Sequence, residues 1–210
     1  MVTLGMTGTK WEIVRSSIEL FAKDGYDNVS IKQVAAKIGV SAAAIYYFFP
    51  NKDDILVLIY KLYIENYFAL FPKLEDILEL VGKMHPYEIL RKIKFHLFSD
   101  NKEESEMLVQ ILQILMKEKD HDSRANDVIV SLYNGVSEYY EPIIRKMIEM
   151  NVIEPLNIEA WYSVFAHYYL ISDIRSYGKI PMTYGQWSEG QELIYSLIHV
   201  KNKNENSNIA

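Results

Sequence analysis

Apolar residues recur at three- and four-residue steps along almost the whole chain, the spacing of a helix face and not the alternation of a strand. The first such run, 10–24, sets Trp11, Val14, Ile18 and Phe21 on one side, and Gly25 stops it. Ser30-Ile31-Lys32-Gln33 has the form of a capping box, in which the Ser30 hydroxyl and the Gln33 side chain satisfy each other's backbone donors. It predicts a short helix to about Ile38, ended by Gly39. Val40 and Ser41 form a turn, Ser41 caps a third short helix over 42–48, Pro50 ends it, and Asn51 caps a longer helix from Lys52. Further helices are expected over 52–71, 73–82, 86–98, 103–118, 125–150, 157–177 and 186–199, separated by turn-forming stretches such as Met84-His85-Pro86. Pro142 falls inside 125–150, where its missing N–H predicts a kink. The polar tail, 201–210, is expected to be disordered. The fold class is therefore all-α.

Charge changes this picture once it is located. The net charge of −6 argues against a nucleic-acid partner, yet residues 1–60 hold six basic and six acidic side chains. The whole deficit lies beyond residue 60, and a neutral N-terminal segment binds DNA if its cations face one way. Cysteine is absent, which excludes disulfides and thiolate metal sites. The longest uncharged apolar stretch, Ala160 to Ser172, has 13 residues, short of the roughly 18–20 that cross a bilayer. The N-terminal stretch has no apolar run of signal-peptide length, so a cytoplasmic protein with no membrane partner is expected.

A short helix, a glycine-led turn and a second short helix make the helix-turn-helix plan, whose second helix enters the major groove. On that plan Ile45 and Phe49 face inward against Phe21, Val34 and Ile38, while Tyr46 and Tyr47 face out. An outward tyrosine offers a hydroxyl to a phosphate and a flat ring to sugar or a thymine methyl. Lys52 at the start of the next helix is expected to add its ammonium to an anion site. The competing reading is a helical corner whose rings are all core. However, the four rings Tyr46-Tyr47-Phe48-Phe49 span nearly a full turn, and one helix cannot bury them all.

Residues 13–56 resemble the TetR-type transcriptional regulators. The resemblance rests on Ile13, Leu20-Phe21, Gly25-Tyr26, Ser30, Val34-Ala35, Gly39-Val40-Ser41, Ile45-Tyr46, Phe49, Lys52 and Leu56. It implies a helix-turn-helix domain over 1–52, a helical effector-binding and dimerisation domain over 53–200, and DNA contacts from Ser30, Lys32, Ser41, Ala42, Ala43, Ala44, Tyr46, Tyr47 and Lys52. It also implies a homodimer built on the last two helices, here through Trp161, Phe165, Tyr168, Leu193 and Leu197, although the same residues also suit a monomer core. The partners so implied are operator double-stranded DNA, a second copy of the chain and an unknown small-molecule effector; no cofactor or metal is implied. Two departures matter. Ala43-Ala44 stand where the family usually has Gly-Thr, and Phe48 stands where it often has histidine or tyrosine. An alanine-lined helix start has little bidentate base readout, so specificity is expected to lean on methyl contacts, Tyr47, Lys32 or Lys37, and DNA shape.

Most of the tyrosines lie beyond residue 50, several at helical spacing. Tyr133, Tyr140, Tyr162 and Tyr169, with His96, are candidate effector-pocket residues, with ordinary core packing as the competing reading. His121-Asp122 is a remote candidate for metal. No HExxH, glycine-rich phosphate loop, nucleophile beside a base or di-iron carboxylate pattern is present. The expected function is a DNA-binding repressor released by a small molecule. The alternatives are a small all-α enzyme and a helical adaptor that binds only protein.

Overall fold

Four helix starts carry the local logic of the N-terminal half. In the computed structural model, which describes residues 4–93, 102–166 and 184–201, α1 spans Gly8–Asp24, α2 Ile31–Ile38, α3 Ala42–Phe48 and α4 Lys52–Phe68. The capping box at α2 is complete: Ser30 Oγ accepts the Gln33 N–H at 3.3 Å and Gln33 Oε1 accepts the Ser30 N–H at 2.7 Å. Gly39 closes α2 at φ 72°, a left-handed position that a side chain strains, and Val40 N–H reaches back to the Ala35 carbonyl at 3.0 Å. Ser41 Oγ accepts Ala44 N–H at 3.2 Å and Asn51 Oδ1 accepts Asp54 N–H at 2.8 Å, which starts α3 and α4. The turns are thus set by local hydrogen bonds within a few residues of each other.

The later helices are α5 (Leu74–Leu80), α6 (Pro86–Lys92), α7 (Lys102–Glu118), α8 (Ser123–Glu149), α9 (described over 158–166) and α10 (Tyr184–Ser196). No strand occurs among the described residues, so the protein is all-α; most boundaries lie within a few residues of those the periodicity predicts, but α6 ends at Lys92 and not at 98, and the end of the helix expected to 177 lies outside the described residues. Helix α8 runs unbroken past Pro142.

Two compact units divide the chain. One holds residues 4–70 and 102–132 of the described chain; the other holds 71–93, 133–166 and 184–201. The division by function at residue 52 cuts inside the first of these, because α7 packs on both α1 and α4. Ile13, Ile18, Phe21 and Val34 share that unit's sealed interior with Ile45, Ile55, Ile59, Ile111 and Leu115. Ile38, expected inside, is half-exposed. In the second unit, Tyr139 donates to the Pro72 carbonyl at 2.9 Å and Lys146 to the Leu78 carbonyl at 2.8 Å, fixing α8 beside α5. Tyr87 donates to the Ile198 carbonyl at 3.0 Å, and residues 152–154 pair with 199–201 through two backbone bonds of 2.8 and 3.1 Å. The tail 202–210 lies outside the described residues.

Candidate nucleic-acid interface

Helix α3 is sealed on one side and open on the other. Ile45 and Phe49, one turn apart, are buried, whereas Tyr46 is 51% and Tyr47 84% exposed. Tyr47 rests edge-on against Phe48 at 5.1 Å, which limits where the ring swings. At the start of the helix Ala43 is exposed and Ala42 and Ala44 are half-buried, a smooth, methyl-covered surface beside the two phenols. Ser41 lies exposed at the head of this surface, its oxygen already accepting Ala44 N–H.

The cations sort themselves by partner. Lys37 is held by Glu19, and Arg15 by Glu19 and Glu103. Lys32, exposed on α2, has no acidic partner among the described residues, so of the two lysines considered for readout it is the one with an uncommitted charge. Ser30 is exposed, but its hydroxyl both accepts from Gln33 N–H and donates to Gln33 Oε1 at 2.7 Å, so the cap occupies it.

Lys52 has backbone partners. Its ammonium turns back and donates to the carbonyls of Tyr26 and Val29 at 2.8 and 3.0 Å, 4.0 Å from the centre of the Tyr26 ring. The Tyr26 carbonyl also accepts the Val29 N–H at 3.2 Å, so the cation adds a second donor there and ties both ends of the turn together. Lys52 therefore braces the α1–α2 turn, while its positive charge, which carbonyls do not neutralise, stays at the start of α4. A further cation beside α3, not among the expected contacts, is Lys10. Its ammonium lies 5.6 Å over the Phe49 ring at the start of α1, and it has no acidic partner among the described residues. A lysine without an acid at i±3 or i±4 was the available signal.

In the second unit the structure merges two expected sets. Trp161 and Phe165, assigned to a dimer surface, are buried at 4% and 0% exposure within the protomer. They pack with Tyr140 and Tyr162, assigned to an effector pocket: Tyr140 to Phe165 is 4.6 Å and Trp161 to Phe165 is 5.1 Å between ring centres. The cause is the wide apolar face of α9, which meets α8 inside the same unit. Tyr162 donates to the Tyr133 carbonyl at 2.6 Å, and burial pushes its phenol pKa well above the ordinary value. Tyr133 itself is half-exposed at 46%. Leu193 and Leu197, one turn apart near the end of α10, are exposed at 69% and 47%. His96, Tyr168 and Tyr169 lie outside the described residues. Among the described residues no His/Asp/Glu cluster is arranged to hold a metal, and Asp122 is taken up by Arg124 and Tyr60.

A capped three-helix head, closed by a left-handed turn and presenting two exposed rings on its last helix, is a helix-turn-helix module. Residues 13–59 match the family described as bacterial regulatory proteins, tetR family, and this chain carries the N-terminal domain of that family. It is 31% identical over 107 residues to the uncharacterized HTH-type transcriptional regulator YerO of Bacillus subtilis (strain 168), covering 51% of this chain and 36% of that one. The chain thus spans about a third of that relative's length. It is 25% identical over 160 residues to the biofilm operon icaADBC HTH-type negative transcriptional regulator IcaR of Staphylococcus epidermidis, covering 73% of this chain and 82% of IcaR. The TetR family transcriptional regulator PfmR from Thermus thermophilus shares the fold, with a TM-score of 0.63 at 23% identity over 87% of this chain and 96% of its own. No helix among the described residues is long and apolar enough to cross a membrane.

Proposed function

We propose that this chain is a cytoplasmic, homodimeric transcriptional repressor that binds operator DNA through α2 and α3 and is released by a small molecule, with no catalytic step. The observation that carries the reading is the pair of exposed tyrosines on a helix whose other side is fully buried. Solvent alone gives no reason to hold two rings out on so short a helix. A groove wall of sugars, phosphates and thymine methyls does. Repression, as against activation, is favoured by the negative regulation named for IcaR.

Leu193 and Leu197 support the dimer. Two large exposed apolar side chains, one in the last turn of α10 and one just past its end, complete a self-complementary surface when a second copy meets them about a two-fold axis. Such a dimer sets two α3 helices roughly 34 Å apart, one turn of DNA. Changing both leucines to glutamate should leave a folded monomer, which light scattering after size exclusion distinguishes from a dimer. A dimer that survived the double change would place the interface elsewhere.

The aromatic cluster of Tyr140, Trp161, Tyr162 and Phe165 supports an effector with apolar faces. The Trp161 indole N–H is buried without an acceptor among the described residues, which suits a ligand that carries one. Effector binding then acts by population shift, favouring a spacing of the two heads that misses the groove.

The test is fluorescence anisotropy of the purified protein on its own upstream DNA over a salt series. Affinity should fall linearly on a log–log plot, with a slope near −0.9 for each phosphate contacted. Binding indifferent to salt would remove phosphate contacts from the mechanism and the repressor reading with them.

A further inference from the structure

The α1–α2 turn, which leads into the reading helices, is gripped by charged side chains from far along the chain. Lys117 at the end of α7 donates to the Ala22 carbonyl at 2.6 Å, capping the last turn of α1. Its neighbour Glu118, buried at 9% exposure, lies against the Tyr26 backbone N–H. Burial, then the charge of Asp27, raises the Glu118 pKa, while that N–H works the other way. Lys52 holds the Tyr26 and Val29 carbonyls of the same turn.

Arg124 joins these pieces. Its guanidinium forks onto Asp53, with Nη1 and Nη2 donating to the two carboxylate oxygens at 2.7 Å each. On its other side Nε and Nη2 donate to the two oxygens of Asp122 at 2.8 Å. Asp53 is in the first turn of α4, next to Lys52; Asp122 sits in the α7–α8 corner and accepts from Tyr60 at 3.4 Å. The Arg124 hydrogen bonds hold both aspartates below the ordinary carboxylate range. Groups with depressed folded pKa values stabilise at neutral pH and lose that contribution only as pH falls through those values, so the fork is intact wherever DNA binding is measured. Only a planar guanidinium meets two carboxylates this way; an ammonium does not.

We propose that Arg124 is a positioning residue for DNA binding: by clasping Asp53 and Asp122 it fixes the start of α4, and through Lys52 the α1–α2 turn, against the α7–α8 corner. The inference rests on the operator-binding reading above. Arg124 acts through the head's geometry and touches no DNA, although it stands 71 residues from Asp53 in sequence.

The test compares wild type with Arg124→Gln, Arg124→Lys, Asp53→Asn and the Arg124→Gln/Asp53→Asn double variant. Measurements are DNA affinity over a salt series and amide exchange at Val29 and the first turn of α4. Arg124→Gln should weaken affinity about five- to tenfold and speed exchange at those amides. Arg124→Lys should recover little of either, and the double variant should be no worse than the worse single one. The salt slope should be unchanged, whereas a direct phosphate contact would lower it by about one per protomer. A lowered slope, or an Arg124→Gln protein that binds as wild type does, overturns the inference while leaving the repressor reading intact. A wild type that binds no DNA even at low salt overturns both.

Discussion

Replacing Phe21 by alanine should cost the protein about 3–5 kcal/mol of unfolding free energy, the range for deleting a buried aromatic ring. The ring has no exposure at all and meets Tyr26 edge-on at 5.2 Å. It lies near the end of α1, where the chain turns toward α2, so its loss opens a cavity in a junction held from α4 and α7 by hydrogen bonds. How far the surrounding side chains relax into the hole sets where in that range the cost falls. Domains are stable by roughly 5–15 kcal/mol in all, so much of the margin goes. Urea titration followed by circular dichroism measures it, and at about 2–4 °C per kcal/mol the melting temperature should drop by roughly 10 °C. A loss under about 1 kcal/mol would mean that the head does not depend on this ring for its core.

The same junction separates what the residues reveal by themselves from what they do not. The caps at Ser30, Ser41 and Asn51 and the stop at Gly39 are decided within four residues of chain, so their chemistry can be read along it. Ile45 and Phe49 inward with Tyr46 and Tyr47 outward follows from helical spacing alone. The Lys52 contacts escape that kind of reading because its partners are carbonyls more than 20 residues earlier, and backbone acceptors carry no residue-type signature. Trp161 and Phe165 defeated it for another reason. An apolar helix face records that something covers it, not whether the cover is the same chain or a second copy. The Asp53–Arg124–Asp122 fork was equally hidden, since charged residues at helix starts are ordinary and only the fold brings these three together.

Removing both Tyr46 and Tyr47 as alanines should have the reverse profile of Phe21→Ala: near-native stability and a collapse of DNA affinity. Both rings are exposed, and substitutions at such positions usually change stability by less than about 0.5 kcal/mol. A contact to groove or backbone that each ring makes at about 1 kcal/mol, the low end for base readout, is counted twice per ring in a dimer. The sum is about 4 kcal/mol, close to a thousandfold in affinity. Three further variants then resolve how the helix reads DNA. Tyr47→Phe keeps the ring and removes the hydroxyl, so full affinity assigns the ring to sugar or methyl contact and a tenfold loss assigns the hydroxyl to phosphate. Lys32→Ala should flatten the salt slope by about two per dimer, one phosphate contact per protomer, which no tyrosine change does. Lys52→Ala should lower the melting temperature, because its ammonium braces the Tyr26 and Val29 carbonyls. A double tyrosine variant that binds operator as tightly as wild type would leave the exposed face of α3 without a role in DNA recognition, and the repressor reading would lose the observation that carries it.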